Sequence, residues 1–274
     1  MPAAAALLAL LAASSATTVL PQPQAAAVVD RFPRAAPSYV VAIDGVIRWE
    51  RGADLPRPPA SLTKILSAIV LLGQDWDPQR VITVSPRAAS LQGTRLRLKA
   101  GERLRAGDAL TAMVVASAND ACLALAEAAA GSVEAFVARL DARARELDLT
   151  GTHYANPCGL PGTGHVTTAH DLLRMADLAM ALPEYRWRAG VVSGEIVTLD
   201  GRRIALRTTN MLLGRVPGAL GVKTGYTRAA GKCLVARAER DGRRVDVVLL
   251  DAPDRWWTAA ALIEEAFHVA GATP

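Results

Sequence analysis

The sequence predicts a mixed α/β fold of the α+β type, with one antiparallel sheet built from strands near both ends of the chain and a mostly helical middle. Three observations lead to this prediction. Short β-branched runs lie near both ends, Asp-Gly pairs separate neighbouring runs, and stretches with helical apolar spacing fill the middle. With 274 residues, of which 51% are hydrophobic, the chain can form one or two compact domains with a large core.

Residues 1–27 resemble a secretory signal peptide. An Ala/Leu block from Ala3 to Ala13 is followed by small residues, two prolines and an A-x-A site at Ala25-Ala26-Ala27. The stretch has no charged side chain, so only the amino terminus supplies the positive charge that such signals usually carry. We expect export, with a disordered Ala-rich leader as the alternative. No other stretch is apolar over the ~18 residues that a membrane span requires.

The first predicted elements are a hairpin and a buried helix. Tyr39 to Ile43 and Val46 to Trp49 are β-rich runs joined by Asp44-Gly45, a pair typical of tight hairpins. From Ser61 to residue 72 the apolar residues recur at helical spacing, after a Pro-Pro breaker and before a glycine. Because this helix is apolar nearly all round, we expect it to lie in the centre of the core.

The middle of the chain predicts four further helices. Ala109 to Ala116 and Ala121 to Ala130 are Ala/Leu-rich and are interrupted by the polar side chains of residues 117–120. A third helix has apolar residues from Val133 to Leu147, and a fourth runs from Thr168 to Met180 after a Thr-x-x-Asp cap.

The last third of the chain returns to strands and ends in a helix. Asp200-Gly201 and Asp241-Gly242 predict hairpin turns, and the final helix is expected from Arg255 to Val269. The predicted strands are Gly190 to Leu199, Arg203 to Arg207, Leu220 to Thr224, Cys233 to Glu239 and Val245 to Leu250.

Composition argues against nucleic-acid binding and metal or cofactor chemistry. The net charge of +5 is modest and dispersed, and aromatic residues make up only 4%. The three cysteines show no C-x-x-C spacing and the histidines no H-E-x-x-H motif, so we expect no metal and no cofactor. Because the number of cysteines is odd, two possibilities stay open: one disulfide with one free thiol, or three free thiols. We expect Cys233 to lie in a buried strand. Structural or surface roles are favoured for His153, His165 and His170.

Ser61 and Lys64 predict a nucleophile and its base. Lys64 is one of only four lysines among 31 basic residues. Arg stays charged at any accessible pH, whereas a buried Lys can lose its proton. At i and i+3 on a helix the two side chains share one face, and the helix N-terminus favours a developing oxyanion. Alone, the spacing is weak, and a lysine that caps a buried helix is the alternative.

Two further motifs follow in order: Ser117-Ala118-Asn119 at a helix break and Lys223-Thr224-Gly225 at the end of a strand. Each alone has a structural alternative, such as helix capping by Ser117, Asn119 or the neighbouring Asp120. Together the S-x-x-K, S-x-N and K-T-G motifs are those of penicillin-binding proteins and class A β-lactamases. The chain resembles the serine D-alanyl-D-alanine carboxypeptidases, the low-molecular-mass penicillin-binding proteins of peptidase family S11.

The resemblance extends from residue 38 to 268 and includes Asn156-Pro157 with Gly159-Leu160. It implies the β-lactamase and DD-peptidase fold over a single catalytic domain, residues 28–274. It also implies that Ser61 attacks the peptide bond between two D-alanines, that Lys64 takes its proton, and that Ser117 and Asn119 relay the proton and orient the substrate.

The resemblance also implies the substrate-binding residues. Lys223 and Thr224 are expected to hold the terminal carboxylate through a charge and a hydroxyl. The backbone N–H groups of Ser61 and Tyr226 are expected to form the oxyanion hole, and Gly225 to leave room for a substrate lying against the strand. Arg255 matches a position that helps to hold the carboxylate; an exposed Arg at a helix start is the alternative.

The expected partners are a peptidoglycan stem peptide and, as covalent inhibitors, β-lactams. We expect an exported monomer on the periplasmic or cell-wall side of a bacterial membrane, without a transmembrane anchor once the signal is cleaved. A class A β-lactamase needs a deacylating Glu, and the segment Tyr154 to Gly164 contains none. A DD-endopeptidase with the same catalytic residues stays open, and a non-enzymatic penicillin-binding protein is disfavoured because all three motifs are complete.

Overall fold

The computed structural model describes residues 31–73 and 75–271. The predicted signal peptide lies outside the described residues. The helices are α1 Lys64–Leu71, α2 Pro86–Ser90, α3 Ala106–Val115, α4 Asn119–Ala130, α5 Val133–Glu146, α6 Ala169–Ala181, α7 Pro183–Ala189 and α8 Arg255–Ala270. The strands are β1 Ser38–Ile43, β2 Val46–Arg51, β3 Val81–Thr83, β4 Arg103–Arg105, β5 Ser193–Val197, β6 Arg203–Arg207, β7 Ala219–Thr227, β8 Gly231–Arg240 and β9 Arg243–Leu250.

Strands from both ends of the chain form one five-stranded antiparallel sheet, in the order β2-β1-β9-β8-β7. The amino-terminal strand β1 pairs with the last strand β9, from Ser38 opposite Leu250 to Ile43 opposite Val245. The hairpin turn between β1 and β2 has φ of 50° at Asp44 and 82° at Gly45, the left-handed pair that a tight two-residue hairpin requires. The predicted fold class is therefore confirmed, and β7 lies at one edge of this sheet.

The two faces of the sheet bury two separate cores. Alternate residues of β1 point to opposite faces, so Val40 and Ala42 pack with the helices of the middle region. Tyr39, Val41 and Ile43 pack on the other face, together with the apolar side of α8. The apolar central helix predicted from Ser61 lies in the first core, as α1.

Some elements differ from the prediction. β5 and β6 form a separate two-stranded sheet outside the main one, and the pair β3 and β4 was missed because three residues are too few to show a period. α2 and α7 were also missed; each begins with a proline, which is favourable in the first helical turn. The described residues contain no single helix long and apolar enough to cross a membrane, although α4 and α5 pass that test as a pair bent by 84°.

Candidate active site

Ser61 lies in a short 3₁₀ turn, Ala60–Thr63, that precedes α1, so the α-helix begins at Lys64 rather than at Ser61. Ala60 has a left-handed φ of 49°, which is uncommon for a residue with a Cβ and must be held by its surroundings. The Thr63 hydroxyl donates to the Ala60 carbonyl at 2.9 Å. The turn places the half-buried Ser61 at the amino end of α1, as expected for a nucleophile that uses that end electrostatically.

Two glycines enclose this turn from opposite sides. A Cβ on Gly159 would lie 2.0 Å from the Ala60 carbonyl oxygen, and one on Gly225 would lie 2.8 Å from the Pro59 carbonyl oxygen and 3.1 Å from the Ser61 nitrogen. Gly225 was expected to make room for substrate. The structure corrects that reason: the space is filled by the backbone of residues 59–61, so glycine allows β7 to approach the nucleophile turn.

Lys64 is fully buried and its amine contacts three oxygens. Its Nζ lies 3.0 Å from Ser61 Oγ, 2.8 Å from Asn119 Oδ1 and 2.5 Å from the carbonyl oxygen of Cys158. The Asn119 amide nitrogen donates to the Gln92 carbonyl at 2.9 Å, which fixes its oxygen toward Lys64. A neutral amine has two N–H groups and one lone pair, so two fixed acceptors leave the lone pair for the Ser61 hydroxyl.

The surroundings of Lys64 favour this neutral form. Burial is the main cause that holds the pKa of Lys64 well below its usual value, and the positive charge of Lys223 lowers it further. The carboxylate of Asp120 acts in the opposite direction and raises that pKa. The expectation that a second cation lowers the pKa of Lys64 agrees with this arrangement, although burial has the larger effect.

Ser117 and Lys223 form a second buried contact. Ser117 lies in the turn between α3 and α4 with a left-handed φ of 58°, and its hydroxyl accepts from Lys223 Nζ at 2.9 Å. Burial, aided by the charge of Arg255, lowers the pKa of Lys223 to about 7. Neither Ser117 nor Asn119 caps α4, whose N-cap residue Ala118 makes no side-chain cap bond. The capping alternative for these two side chains is therefore wrong.

Thr224 and Tyr226 lie next to Lys223 on β7. The Thr224 hydroxyl is buried and lies 2.6 Å from the hydroxyl of Thr209, so its direction is set by a neighbouring loop. The Tyr226 side chain is 64% exposed, which leaves its predicted role to its backbone. β7 therefore carries the carboxylate-binding candidates along one sheet edge.

Arg255 lies behind β7 and is half-buried, so the alternative of an exposed arginine is wrong. Its guanidinium donates to the carbonyls of Gly225 at 2.6 Å and Cys233 at 3.1 Å, and its other face lies over the Trp256 ring. Burial lowers the pKa of Arg255. The arginine thus contacts the K-T-G backbone and adds positive charge near Lys223.

Asp120 was expected to cap a helix, and its carboxylate does accept a first-turn N–H of α4, although most of its hydrogen bonds come from another segment. Its carboxylate accepts from the backbone N–H groups of Leu96 and Leu98 at 2.9 and 3.0 Å, and from that of Ala121 at 2.9 Å. It therefore fastens the segment before α3 to the S-x-N turn.

The glutamates between the second and third motifs lie apart from Ser61. Glu134, Glu146 and Glu195 form ion pairs with exposed arginines, and Glu184 forms one with the buried Arg188. Glu127 lines a separate surface pocket with residues of β3 and α2. The described residues contain no cluster of three side chains that could hold a metal ion.

Sequence reasoning missed several residues that hold the site. Cys122 and Cys158 form a disulfide, which resolves the open pairing, and Cys233 is a buried free thiol in β8, as expected. Burial raises the pKa of Cys233 to about 11. Asn156 Oδ1 accepts three successive backbone N–H groups, which shapes the loop carrying Cys158. Asn156 was visible in the Asn-Pro-x-Gly-Leu match, but nothing in the sequence connected it to Lys64.

His165 has a structural role, as favoured. The Ala155 N–H donates to its Nδ1 at 3.0 Å, so Nε2 carries the proton and donates to the Thr63 hydroxyl at 2.8 Å. That hydroxyl holds the Ala60 carbonyl, so His165 stabilises the turn that carries the nucleophile. Burial, with smaller contributions from His153 and Lys64, lowers the pKa of His165 to about 4.

The comparisons with known proteins agree with this geometry. A family model described as D-alanyl-D-alanine carboxypeptidase, peptidase S11, matches residues 33–254. D-alanyl-D-alanine carboxypeptidase DacB2 of Mycobacterium tuberculosis is 32% identical over 231 residues, 81% of this chain and 78% of that protein. DacF of Bacillus subtilis, named as the same activity, is 32% identical over 213 residues, 76% of this chain. The chain spans about half (54%) of the length of DacF.

One further relative and two solved structures extend the comparison. A D-alanyl-D-alanine endopeptidase of Pseudomonas aeruginosa is 29% identical over 211 residues, 76% of this chain and 68% of that protein. The Streptomyces K15 DD-transpeptidase superimposes with a TM-score of 0.81 and 25% identity, over 85% of this chain and 97% of that one. A D-alanyl-D-alanine carboxypeptidase from M. tuberculosis superimposes with a TM-score of 0.79 and 31% identity, over 85% of this chain and 91% of that one.

Proposed function

The chain belongs to peptidase family S11, the D-alanyl-D-alanine carboxypeptidases, and we propose that it removes the terminal D-alanine from peptidoglycan pentapeptides through an acyl-enzyme on Ser61. The observation that carries this proposal is the amine of Lys64. It is buried, favoured in its neutral form and 3.0 Å from the hydroxyl that it would deprotonate. A base in hydrogen-bond contact with its nucleophile is the arrangement that covalent catalysis requires.

The reaction begins with proton transfer from Ser61 to Lys64. Ser61 Oγ forms a bond to the carbonyl carbon between the two D-alanines, and the carbonyl electrons move to the oxygen, which faces the backbone N–H groups of Ser61 and Tyr226. Each such donor is worth about 3 to 4 kcal/mol in the transition state. The C–N bond then breaks, and the proton reaches the leaving amine from Lys64 by way of Ser117. Water hydrolyses the ester and releases the shortened peptide.

Lys223 and Thr224 bind the carboxylate of the terminal D-alanine. A protonated Lys223 supplies the charge and Thr224 a hydroxyl donor, so a peptide ending in an amide would bind less well. Asn119, which fixes Lys64, also faces the site and orients the peptide. Arg255 contacts the Gly225 carbonyl, and it acts on the carboxylate through its charge and through the K-T-G backbone.

β-Lactams acylate Ser61 and leave slowly, because the glutamates between the second and third motifs are paired with arginines or line a separate pocket. A DD-endopeptidase would use the same residues, and the P. aeruginosa relative carries that name. Acting on the cell wall, the protein functions outside the cytoplasm, on the periplasmic or cell-wall side, as a monomer.

The proposal is tested by incubating purified protein with a peptide ending in D-Ala-D-Ala and, separately, with fluorescent penicillin. We expect D-alanine release and a stable penicillin adduct, both absent in Ser61→Ala and both retained in Ser90→Ala, which changes an exposed serine. Fast penicillin turnover without D-alanine release would indicate a β-lactamase. Cleavage of crosslinked dimers but not of the pentapeptide would indicate an endopeptidase, and labelling without cleavage of either would reject the peptidase proposal.

A further inference from the structure

The Cys122–Cys158 disulfide lies beside the amine of Lys64. Cys122 is in α4, one helical turn after Asn119, and Cys158 is in the loop between α5 and α6. Both cysteines are 1% exposed. The disulfide therefore joins the two segments whose oxygens hold the Lys64 amine: Asn119 Oδ1 on α4 and the Cys158 carbonyl on the loop.

These two oxygens decide where the lone pair of a neutral Lys64 points. Neither an amide oxygen nor a carbonyl can donate, so each can only accept an N–H of the amine. The third contact, 3.0 Å to Ser61 Oγ, is then the one in which nitrogen can accept. If the two acceptors moved apart, water could enter and the lone pair would lose its fixed direction.

Apart from contacts of the two cysteine sulfurs with Pro157 and Asn119 carbonyls, the hydrogen bonds described beside Cys158 lead within the loop or to α1. Asn156 Oδ1 holds the backbone N–H of Cys158, which shapes the loop internally. The Ser67 hydroxyl donates to the Pro157 carbonyl at 2.6 Å, which ties the loop to α1. The disulfide is the covalent link between the loop and α4, so it sets the distance between the two acceptors.

We propose that the Cys122–Cys158 disulfide and the Cys158 carbonyl are positioning elements for the general base. They exclude water from the Lys64 amine and direct its lone pair toward Ser61. This inference rests on the proposed role of Lys64 as base. The charged or titratable groups that face Lys64 are Lys223 from β7, Asp120 from α4 and His165 from the loop. Loss of the disulfide leaves these groups in place and admits water to the amine.

The test measures the titration of Lys64 itself. Because the chain has four lysines, selective ¹³Cε labelling gives four resolvable signals. In Cys122→Ala/Cys158→Ala we expect the pKa of Lys64 to rise by about one unit, because desolvation is the largest cause of its depression.

A control separates positioning from general loss of stability. Phe267→Leu leaves a cavity in the second core, on the other side of the sheet, and should lower the melting temperature without moving the Lys64 titration. Cys122→Val/Cys158→Ala refills the disulfide volume should the first variant not fold. If neither folds, the unaltered protein is reduced after folding with a phosphine and titrated. An unchanged Lys64 titration without the disulfide would overturn the inference.

Penicillin acylation provides a second readout. A rise of about one unit in the pKa of Lys64 moves the pH at which the amine becomes neutral upward by the same amount, so the ascending limb of the acylation profile should move to higher pH by about one unit. A shifted titration in a protein that no substrate acylates would support the positioning role and reject the proposed function. Acylation whose ascending limb is shifted to higher pH would support both the positioning role and the proposed function.

Discussion

Two regions of the molecule bury basic side chains and treat them in opposite ways. Beside Ser61, Lys64 and Lys223 are 0% and 2% exposed, and in the described part of the chain their amines contact hydroxyl, amide and carbonyl oxygens rather than carboxylates. In the sheet, Arg237 is 4% exposed and forms ion pairs with Asp246, at 2.6 Å, and with Asp177.

The two regions differ in whether the buried cation has a carboxylate partner and in whether it is an arginine or a lysine. Burial lowers the pKa of Arg237, but the hydrogen bonds and charges of Asp246 and Asp177 together raise it by more, so the arginine stays charged. Neither Lys64 nor Lys223 has a carboxylate in hydrogen-bond contact among the described residues; the charge of Asp120 offsets only part of the effect of burial on Lys64, and burial lowers the pKa of both lysines. A buried cation with a carboxylate partner supports the fold, whereas one without a carboxylate becomes a base or a weakly held proton donor.

The largest effect should follow from making Lys64 a permanent cation. Lys64→Arg keeps the charge but removes a base that can be neutral, so we expect penicillin acylation to fall about 10³-fold, within the range for general-base removal. Stopped-flow acylation measures it. Lys232→Arg, at an exposed lysine, is the matched control and should be unaffected. Acylation by Lys64→Arg within tenfold of the unaltered enzyme would contradict the role of Lys64.

The next effect concerns the paired region. Arg237→Met removes the hydrogen-bonded partner of the buried Asp246 carboxylate and leaves it only the ion pair with Arg244 at 3.1 Å, so we expect a loss of about 3 kcal/mol in unfolding free energy, the low end of the range for a broken buried pair. Urea denaturation measures this loss of stability. We expect the acylation of Ser61 per folded molecule to be retained. Arg87→Met, which breaks an exposed pair with Glu134, should cost under about 1 kcal/mol. Equal losses for both variants would show that burial of the Arg237 pair has no special weight.

A third effect tests a buried base whose partners are neutral. Because the pKa of His165 is lowered to about 4, the unfolded chain binds its proton at a higher pH than the folded one. This contribution to stability is therefore complete above about pH 6.5 and is lost as the pH falls toward 4, by about 3 kcal/mol. Denaturation at several pH values should show this slope reduced in His165→Gln and unchanged in His268→Gln, at an exposed histidine.

The smallest effect distinguishes the two lysines of the site. Lys223 must be protonated to bind a carboxylate, and its pKa of about 7 predicts that kcat/KM for a D-Ala-D-Ala peptide falls above that pH. Lys223→Arg stays charged, so the descending limb should move up by about one unit or more, at some loss of rate. If the descending limb of Lys223→Arg lay at the same pH as in the unaltered protein, the limb would have to be assigned to another group.

The sequence predicted much of the fold because its signals are local. The β-rich runs and the Asp-Gly turns predicted β1, β2 and β7 to β9, and these strands pair in one sheet. Three-residue strands such as β3 carry no measurable period, so the prediction missed them. The chain segment of β5 was predicted as a strand, but which sheet it joins depends on contacts across the chain.

The sequence likewise predicted one part of the candidate site and missed another. The motif spacing and the rarity of lysine pointed to Ser61, Lys64 and Lys223, because residue type and order are properties of the chain. The role of Cys158 was not accessible, because its contribution is a backbone carbonyl, which every residue possesses. The roles of His165, Thr209 and Gly225 depend on which distant segments lie against the nucleophile turn and against β7.

By itself, the sequence determined which groups are available: a hydroxyl, two amines in a chain that otherwise uses arginine, and glycines that permit close approach. Tertiary structure alone decided which cations have carboxylate partners, which cysteines are joined, and which oxygens face Lys64. The physical reason is that burial and charge pairing arise from segments far apart in the chain, and these two quantities set whether an amine is an ion or a base.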